Sequence, residues 1–267
     1  MIDFDKLFEE YLAKWYKDHE EEMTAEEMEN KIPDIYEEWV TSPCDKIGGK
    51  TPEEYFESMT SPTELVSAFL ESEKEGGAPS LLLARIAMVP ECAKGLSKII
   101  ESETDETIVI EAMNLLCEMN EGHPLEKYVE FVASDSAPEG VSELASEILK
   151  EYASLVKDNI FAVLDSVSVE KKEVFADVLV EAGKDERTYN LLKELFEKSK
   201  NIPYIAGLIG KYGDERCAEY LYPALDNCNY LEFIEIRSAI EALGGVVDDT
   251  YRDFTDDEYY KAIKNLK

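Results

Sequence analysis

Apolar residues at the start of the chain recur every three or four positions: Phe4, Leu7, Phe8, Tyr11, Leu12 and Trp15 form one stripe, with acids and lysines opposite. That spacing predicts an amphipathic helix. The acidic run 18–22 closes it. Thr24 with Glu27 three residues on has the form of a capping box, so a second helix starts there. Pro33 restarts or kinks that helix, and Ile35, Tyr36, Trp39 and Val40 carry the apolar stripe onward. Gly48-Gly49 marks a turn. Thr51-Pro52-Glu53-Glu54 supplies an N-cap threonine, a proline at the first helical position and a glutamate at the third, and Ser61-Pro62-Thr63-Glu64 repeats that grammar ten residues later. One short helix is predicted between the two starts, followed by the first long one.

Beyond residue 60 the chain is periodic. Phe69, Ile100, Val132, Leu164, Leu192 and Leu221 are core-type positions at intervals of 31, 32, 32, 28 and 29 residues. An alanine among large apolar residues recurs between them: Ala84, Ala112, Ala145, Ala176, Ala206 and Ala239. The two series interleave strictly, as a two-helix unit requires. An alanine in mid-helix lets a neighbouring backbone approach, so a recurring one implies a recurring packing contact. Asp185-Glu186-Arg187 and Asp214-Glu215-Arg216 lie 29 residues apart, each just after a glycine (Gly183, Gly213). The glycine ends one helix, and acids in the next first turn complement the helix dipole. The fold class expected is all-α: an α-α superhelix of about six helix pairs over 61–267, continuous with a helical N-terminal cap at 1–60. The Tyr259-Tyr260 helix closes the far end. Stacked second helices line a concave face.

Charge narrows the partners. Sixty acids against 27 bases leave a formal net charge of −33 in 267 residues. The excess is spread along the chain, with eighteen acids and six bases in residues 1–60 alone. An even spread reads as a solvated surface. It opposes phosphate backbones and anionic membranes, so neither nucleic acid nor membrane is expected as a partner. The longest weakly charged stretch, 76–90, contains Arg85 and falls short of the roughly 20 apolar residues of a membrane helix. Five cysteines (Cys44, Cys92, Cys117, Cys217, Cys228) make no CxxC and no regular framework, and the N-terminus is unlike a secretion signal. A cytoplasmic chain with reduced thiols is expected.

Two resemblances follow. The stretch 208–245, with Gly213-Asp214, a Leu-rich first helix and then Arg237, Ala239, Ala242, Leu243 and Gly244, resembles the short HEAT-like repeat of phycobilisome-lyase type. Before Phe161 the likeness is one of spacing only. It implies architecture and, for most members of that family, protein contacts; a few are lyases or DNA-repair glycosylases. Over about 15 residues, Trp39, Pro43, Gly48, Gly49, Thr51 and Pro52 are similar to the toxin-binding segment of some bacterial antitoxins, with Cys44 where asparagine is usual. That likeness implies an exposed Trp39 and an exposed Gly48–Thr51 turn.

Catalytic signatures do not emerge. Gly49-Lys50-Thr51 lacks the glycine that a phosphate loop needs five residues earlier, where Cys44 stands. His19 and His123 lie in separate elements without HxxxH or Cys/His company, and His123 falls at a helix start after Gly122. Asp248, Asp249, Asp253, Asp256 and Asp257 lack EF-hand order, and Thr255 with Glu258 has capping-box form. No cofactor and no metal site is expected. The least acidic stretch, 184–216, holds seven bases and six acids, and nine of the 15 tyrosines fall between Tyr189 and Tyr260. Tyrosine and arginine favour binding hot spots. Tyr204, Lys211, Tyr212 and Arg237 are therefore the candidate partner-binding residues. The expected function is a non-enzymatic adaptor for a protein or peptide, a basic one fitting the charge. The alternatives are an enzyme on a small molecule or modified base using groove carboxylates, and a toxin–antitoxin-like binding module.

Overall fold

The computed structural model describes residues 2–248 and 250–264, and among them the regular structure is helical, with no strand. Two compact units meet in sequence at Pro124 and Leu125. The first contains α1 (Phe4–His19), α2 (Ala25–Glu29), α3 (Ile32–Val40), α4 (Pro52–Glu57), α5 (Pro62–Glu75), α6 (Ser80–Ala87), α7 (Ala93–Ser102) and α8 (Glu106–Met119). The second contains α9 (Leu125–Ala133), α10 (Glu139–Glu151), α11 (Ala153–Val163), α12 (Val169–Glu181), α13 (Glu186–Lys198), α14 (Ile202–Tyr212), α15 (Ala218–Ala224), α16 (Tyr230–Ala242) and α17 (Glu258–Lys264).

The helix starts follow the sequence grammar. Thr24 with Glu27 and Thr51 with Glu54 form reciprocal capping boxes, and Ser61 accepts the Glu64 N–H. Gly213 closes α14 at φ 70°, a left-handed cap open to glycine at little cost. At the other end of the chain the cap differs from expectation. Asp257, directly before α17, accepts the Tyr259 and Tyr260 N–H groups, whereas the Thr255 N–H donates to Asp253 in the preceding turn.

In the first unit, aromatic side chains hold the N-terminal helices. Phe4 lies between the rings of Tyr55 and Phe56, and Phe8 meets Tyr36 and Trp39. Trp39 is only 4% exposed. Lys46 on the turn pairs with Glu10 of α1. Further on, α5 packs on α6 and α7, α7 on α8, and α6 on α8. A β carbon at Gly95 of α7 would come within 2.8 Å of Val66 Cγ2, so α7 nears α5 where it carries no side chain.

The second unit shows the pairing plainly. Each odd helix packs on the next even one (α9–α10, α11–α12, α13–α14, α15–α16), and the even helices also pack in series, α10 on α12, α12 on α14, α14 on α16. Ala145, Ala176, Ala206 and Ala239, one in each even helix, are 0 to 2% exposed. Ala112 in α8 is buried likewise. Ala84 departs from its series and is exposed. The short α6 buries Leu82 and Ile86, and the residue midway between them points outward. Leu164 is buried as expected, in a single 3-10 turn after α11.

The paired Asp-Glu-Arg motifs join successive helix pairs. The Asp185 carboxylate caps α13, accepting the Arg187 N–H and its guanidinium. The same guanidinium donates to Asp158 of the preceding pair at 2.9 Å and lies 4.2 Å from the centre of the Phe161 ring. Asp214 and Arg216 repeat the arrangement: the guanidinium donates to Glu186 at 2.9 Å and lies 4.3 Å from the Tyr189 ring centre. An arginine thus stacks on the pair before it and reaches an acid there, twice in register.

These bonds set a pH response. Hydrogen bonds from Arg187 hold the Asp185 carboxyl well below its ordinary value, and those from Arg216 do the same for Asp214. A depressed folded-state pKa gives stability that is present above the unfolded value of about 4 and lost as pH falls toward the folded one. Acidification from neutrality also relieves the repulsion of a −33 chain, whose isoelectric point is near 4.3. The urea midpoint is expected to rise between pH 7 and about 5 and to fall steeply below about pH 4. Asp185→Asn flattens the acid limb; an unchanged limb in that variant would refute the assignment.

Two buried hydroxyls among the described residues, those of Thr188 and Tyr220, have no hydrogen-bond partner. Tyr220 packs against Tyr189 and Phe196, and its hydroxyl is shut from solvent with only the Cys217 thiol, a weak partner, beside it. Tyr220→Phe is expected to leave thermal stability unchanged or raise it by up to about 1 kcal/mol. A loss of that size in calorimetry would show that the hydroxyl is satisfied.

Candidate functional site

The even helices of the second unit carry a polar ladder over their packed interior. Lys150 of α10 donates to Asp177 of α12 at 2.6 Å and to Glu147 at 2.7 Å. Lys211 of α14 reaches the other Asp177 oxygen at 3.2 Å and Glu181 at 2.5 Å. Three helices are therefore tied through one carboxylate whose side chain is 16% exposed. Burial opposes ionisation of Asp177, but the two lysines outweigh it and hold its carboxyl below the ordinary range. Burial likewise opposes the Lys150 ammonium, and Asp177 with Glu147 still push it up to about 12. Tyr204 of α14 sits beside this group, 38% exposed; partial burial, then the Asp177 charge, raise its hydroxyl.

The four candidate residues thus separate. Tyr204 and Lys211 belong to the ladder. Tyr212 is 5% exposed, and its hydroxyl accepts from the Asp185 N–H and donates to the Asp185 carbonyl, so it ties α14 to the α13 start and offers a partner no surface. The spacing Ile205, Leu208, Ile209, Tyr212 already marked it as a core position. Arg237 of α16 donates to Glu241 at 2.7 Å and lines a separate pocket of about 560 Å³.

That pocket lies between α16 and the segment leading into α17, and no motif announces it. Phe233, Phe254, Tyr230 and Tyr260 form its aromatic wall, with ring centroids 4.8 to 5.1 Å apart along the chain of contacts. Its charged members are Arg237, Glu241, Arg252 and Asp253. Arg252 Nη1 donates to the carbonyls of Leu225 at 3.1 Å and Cys228 at 2.7 Å, and its guanidinium lies 5.0 Å from the Phe254 ring centre.

Other singled-out residues have structural settings. His19 stacks on Trp15 at 3.9 Å and its Nδ1 lies 2.8 Å from the Trp15 carbonyl. His123 precedes α9, as its sequence position implies. In the C-terminal cluster Asp248 accepts from Thr250, Asp253 from Thr255, and Asp257 from the α17 start and from the Tyr230 N–H of α16, while Asp249 lies outside the described residues. Among the described residues no three His, Cys, Asp or Glu side chains are grouped to hold a metal ion, and no helix is long and apolar enough to cross a membrane. The five cysteines are unbridged. Glu73 is a carboxyl pushed upward, first by burial and then by Glu111 and Asp105, but it accepts the Ala78 N–H beside the Gly76-Gly77 turn. No family model, curated protein or solved structure matches the chain.

Proposed function

We propose that this chain is a non-enzymatic adaptor in the cytoplasm, whose second unit is a short α-α superhelix of HEAT-like type holding a protein or peptide on its even helices. The serial packing of α10, α12, α14 and α16 is the observation that carries this reading, because it sets four helices side by side as one extended face. Tyr204 offers a half-exposed ring and hydroxyl there, and Arg237 a guanidinium at the far end. The surrounding excess of acids steers a basic partner toward that face and speeds encounter at low ionic strength.

An enzyme working through groove carboxylates would need acids poised to hold a proton near neutrality. Asp177, the acid central to this face, is held ionised by two lysines, which suits a fixed polar surface instead. The antitoxin-like module draws on an exposed Trp39, and that ring is buried against Phe8 and Tyr36. Affinity capture with the full chain at low and high salt tests the adaptor reading. The expected result is a protein partner retained at low salt and released at high salt; absence of any salt-sensitive partner contradicts it.

A further inference from the structure

Arg252 stands apart among the charged groups of the C-terminal pocket. The chain has more than two acids for every base, yet this part-buried arginine is held by main-chain carbonyls and an aromatic face, and among the described residues no carboxylate bonds to it. Its Nη1 makes both carbonyl bonds. A guanidinium has five N–H donors, so Nε and Nη2 remain to serve another acceptor. A cation so placed, at the edge of an aromatic pocket, matches an anion attached to an apolar body. The wall formed by Phe233, Phe254 and Tyr230 suits a large apolar side chain, and the fork of a guanidinium suits a carboxylate.

We infer that this pocket binds the carboxyl terminus of a partner polypeptide, with Arg252 on the terminal carboxylate and the aromatic wall on an aromatic or large aliphatic last side chain. The inference deepens the adaptor reading and rests on it for the peptide origin of the ligand. The pocket's own acids are engaged, Glu241 by the Arg237 guanidinium and Asp253 by the Thr255 N–H, and acids beyond about 8 Å are screened at physiological ionic strength while contact with Arg252 is not. A partner that is basic along its length and ends in an apolar residue satisfies both the long-range field and the pocket. At about 560 Å³ the pocket has room for one such residue with its carboxylate.

The test uses the full chain and two small probes, acetyl-glycyl-phenylalanine and its C-terminal carboxamide, followed by saturation-transfer NMR and titration. The free acid is expected to bind at least tenfold more tightly than the carboxamide. Arg252→Gln removes that preference. Because Arg252 also anchors the Leu225 and Cys228 carbonyls, a second variant, Ser238→Trp, crowds the pocket from an exposed position on α16 and is expected to abolish binding with the fold intact by circular dichroism. Equal binding of acid and carboxamide, no binding of either, or binding indifferent to Ser238→Trp overturns the inference. If a captured protein partner keeps its affinity after its terminal carboxylate is amidated, the pocket assignment fails and the adaptor survives. If the free acid binds through Arg252 but no protein partner is captured, the adaptor fails and the pocket stands as a site for an apolar carboxylate.

Discussion

Phe175→Ala is expected to lower the stability of the second unit by about 3–5 kcal/mol. Phe175 is fully buried in α12, and α12 packs against α9, α10, α11, α13 and α14. Truncation of a ring with no exposed surface leaves a cavity that helices fixed by their own neighbours cannot collapse to fill. For a body of this size the unfolding midpoint falls by on the order of 10 °C. Hydrogen exchange followed by mass spectrometry locates the effect: amides of 125–248 exchange faster, and those of the first unit keep their rates. A loss below about 1 kcal/mol would mean that α12 is not the centre of shared packing.

The second large effect belongs to the alanine series. Ala206 of α14 has no exposed surface, and α14 lies between α12 and α16. A β carbon at Gly210, one turn on, would come within 3.2 Å of the Ala239 backbone, so the two helices already meet closely. Ala206→Leu adds three carbons at such an approach and is expected to cost about 1–3 kcal/mol through displaced helices and strained rotamers. Ala84→Leu supplies the contrast. Its site is exposed, and its effect is expected to stay within about 0.5 kcal/mol either way. Urea unfolding of both variants gives the comparison. Equal penalties would show that the buried alanines hold no special contact.

Helix starts were legible because capping is local. Thr24, Thr51 and Ser61 state their role within four residues, and the structure adopts it at each. The pairing of helices was legible because one core position and one alanine per unit are enough to set the interval. Ala84 shows where that inference fails: α6 is a helix of eight residues, and a shift of two positions turns a residue from the interior to solvent. The Asp-Glu-Arg spacing announced a repeated turn, whereas the stacking of Arg187 on Phe161 and Arg216 on Tyr189 depends on where the preceding pair lies in space. The ladder through Asp177 was illegible for the same reason, since Lys150, Asp177 and Lys211 come from three helices and obey no short-range pattern. Composition did point to Tyr204 and Lys211 there. It also singled out Tyr212, where the helical spacing of Ile205, Leu208 and Ile209 points to the interior and the structure buries the ring. Arg252 and its pocket left no signal because the carbonyls that hold the guanidinium are main-chain groups, present at every position of any sequence.

An adaptor of this kind recognises its partner on the even helices of the second unit. A photo-reactive phenylalanine analogue placed at Tyr204 on α14, compared with one at Leu155 on α11, decides this, since both positions are exposed and only the first lies on the even row. Irradiation in extract is expected to join the chain to a basic protein from position 204, less so at high salt, and not from position 155. Cross-linking from position 155 alone, or from neither position, would contradict it.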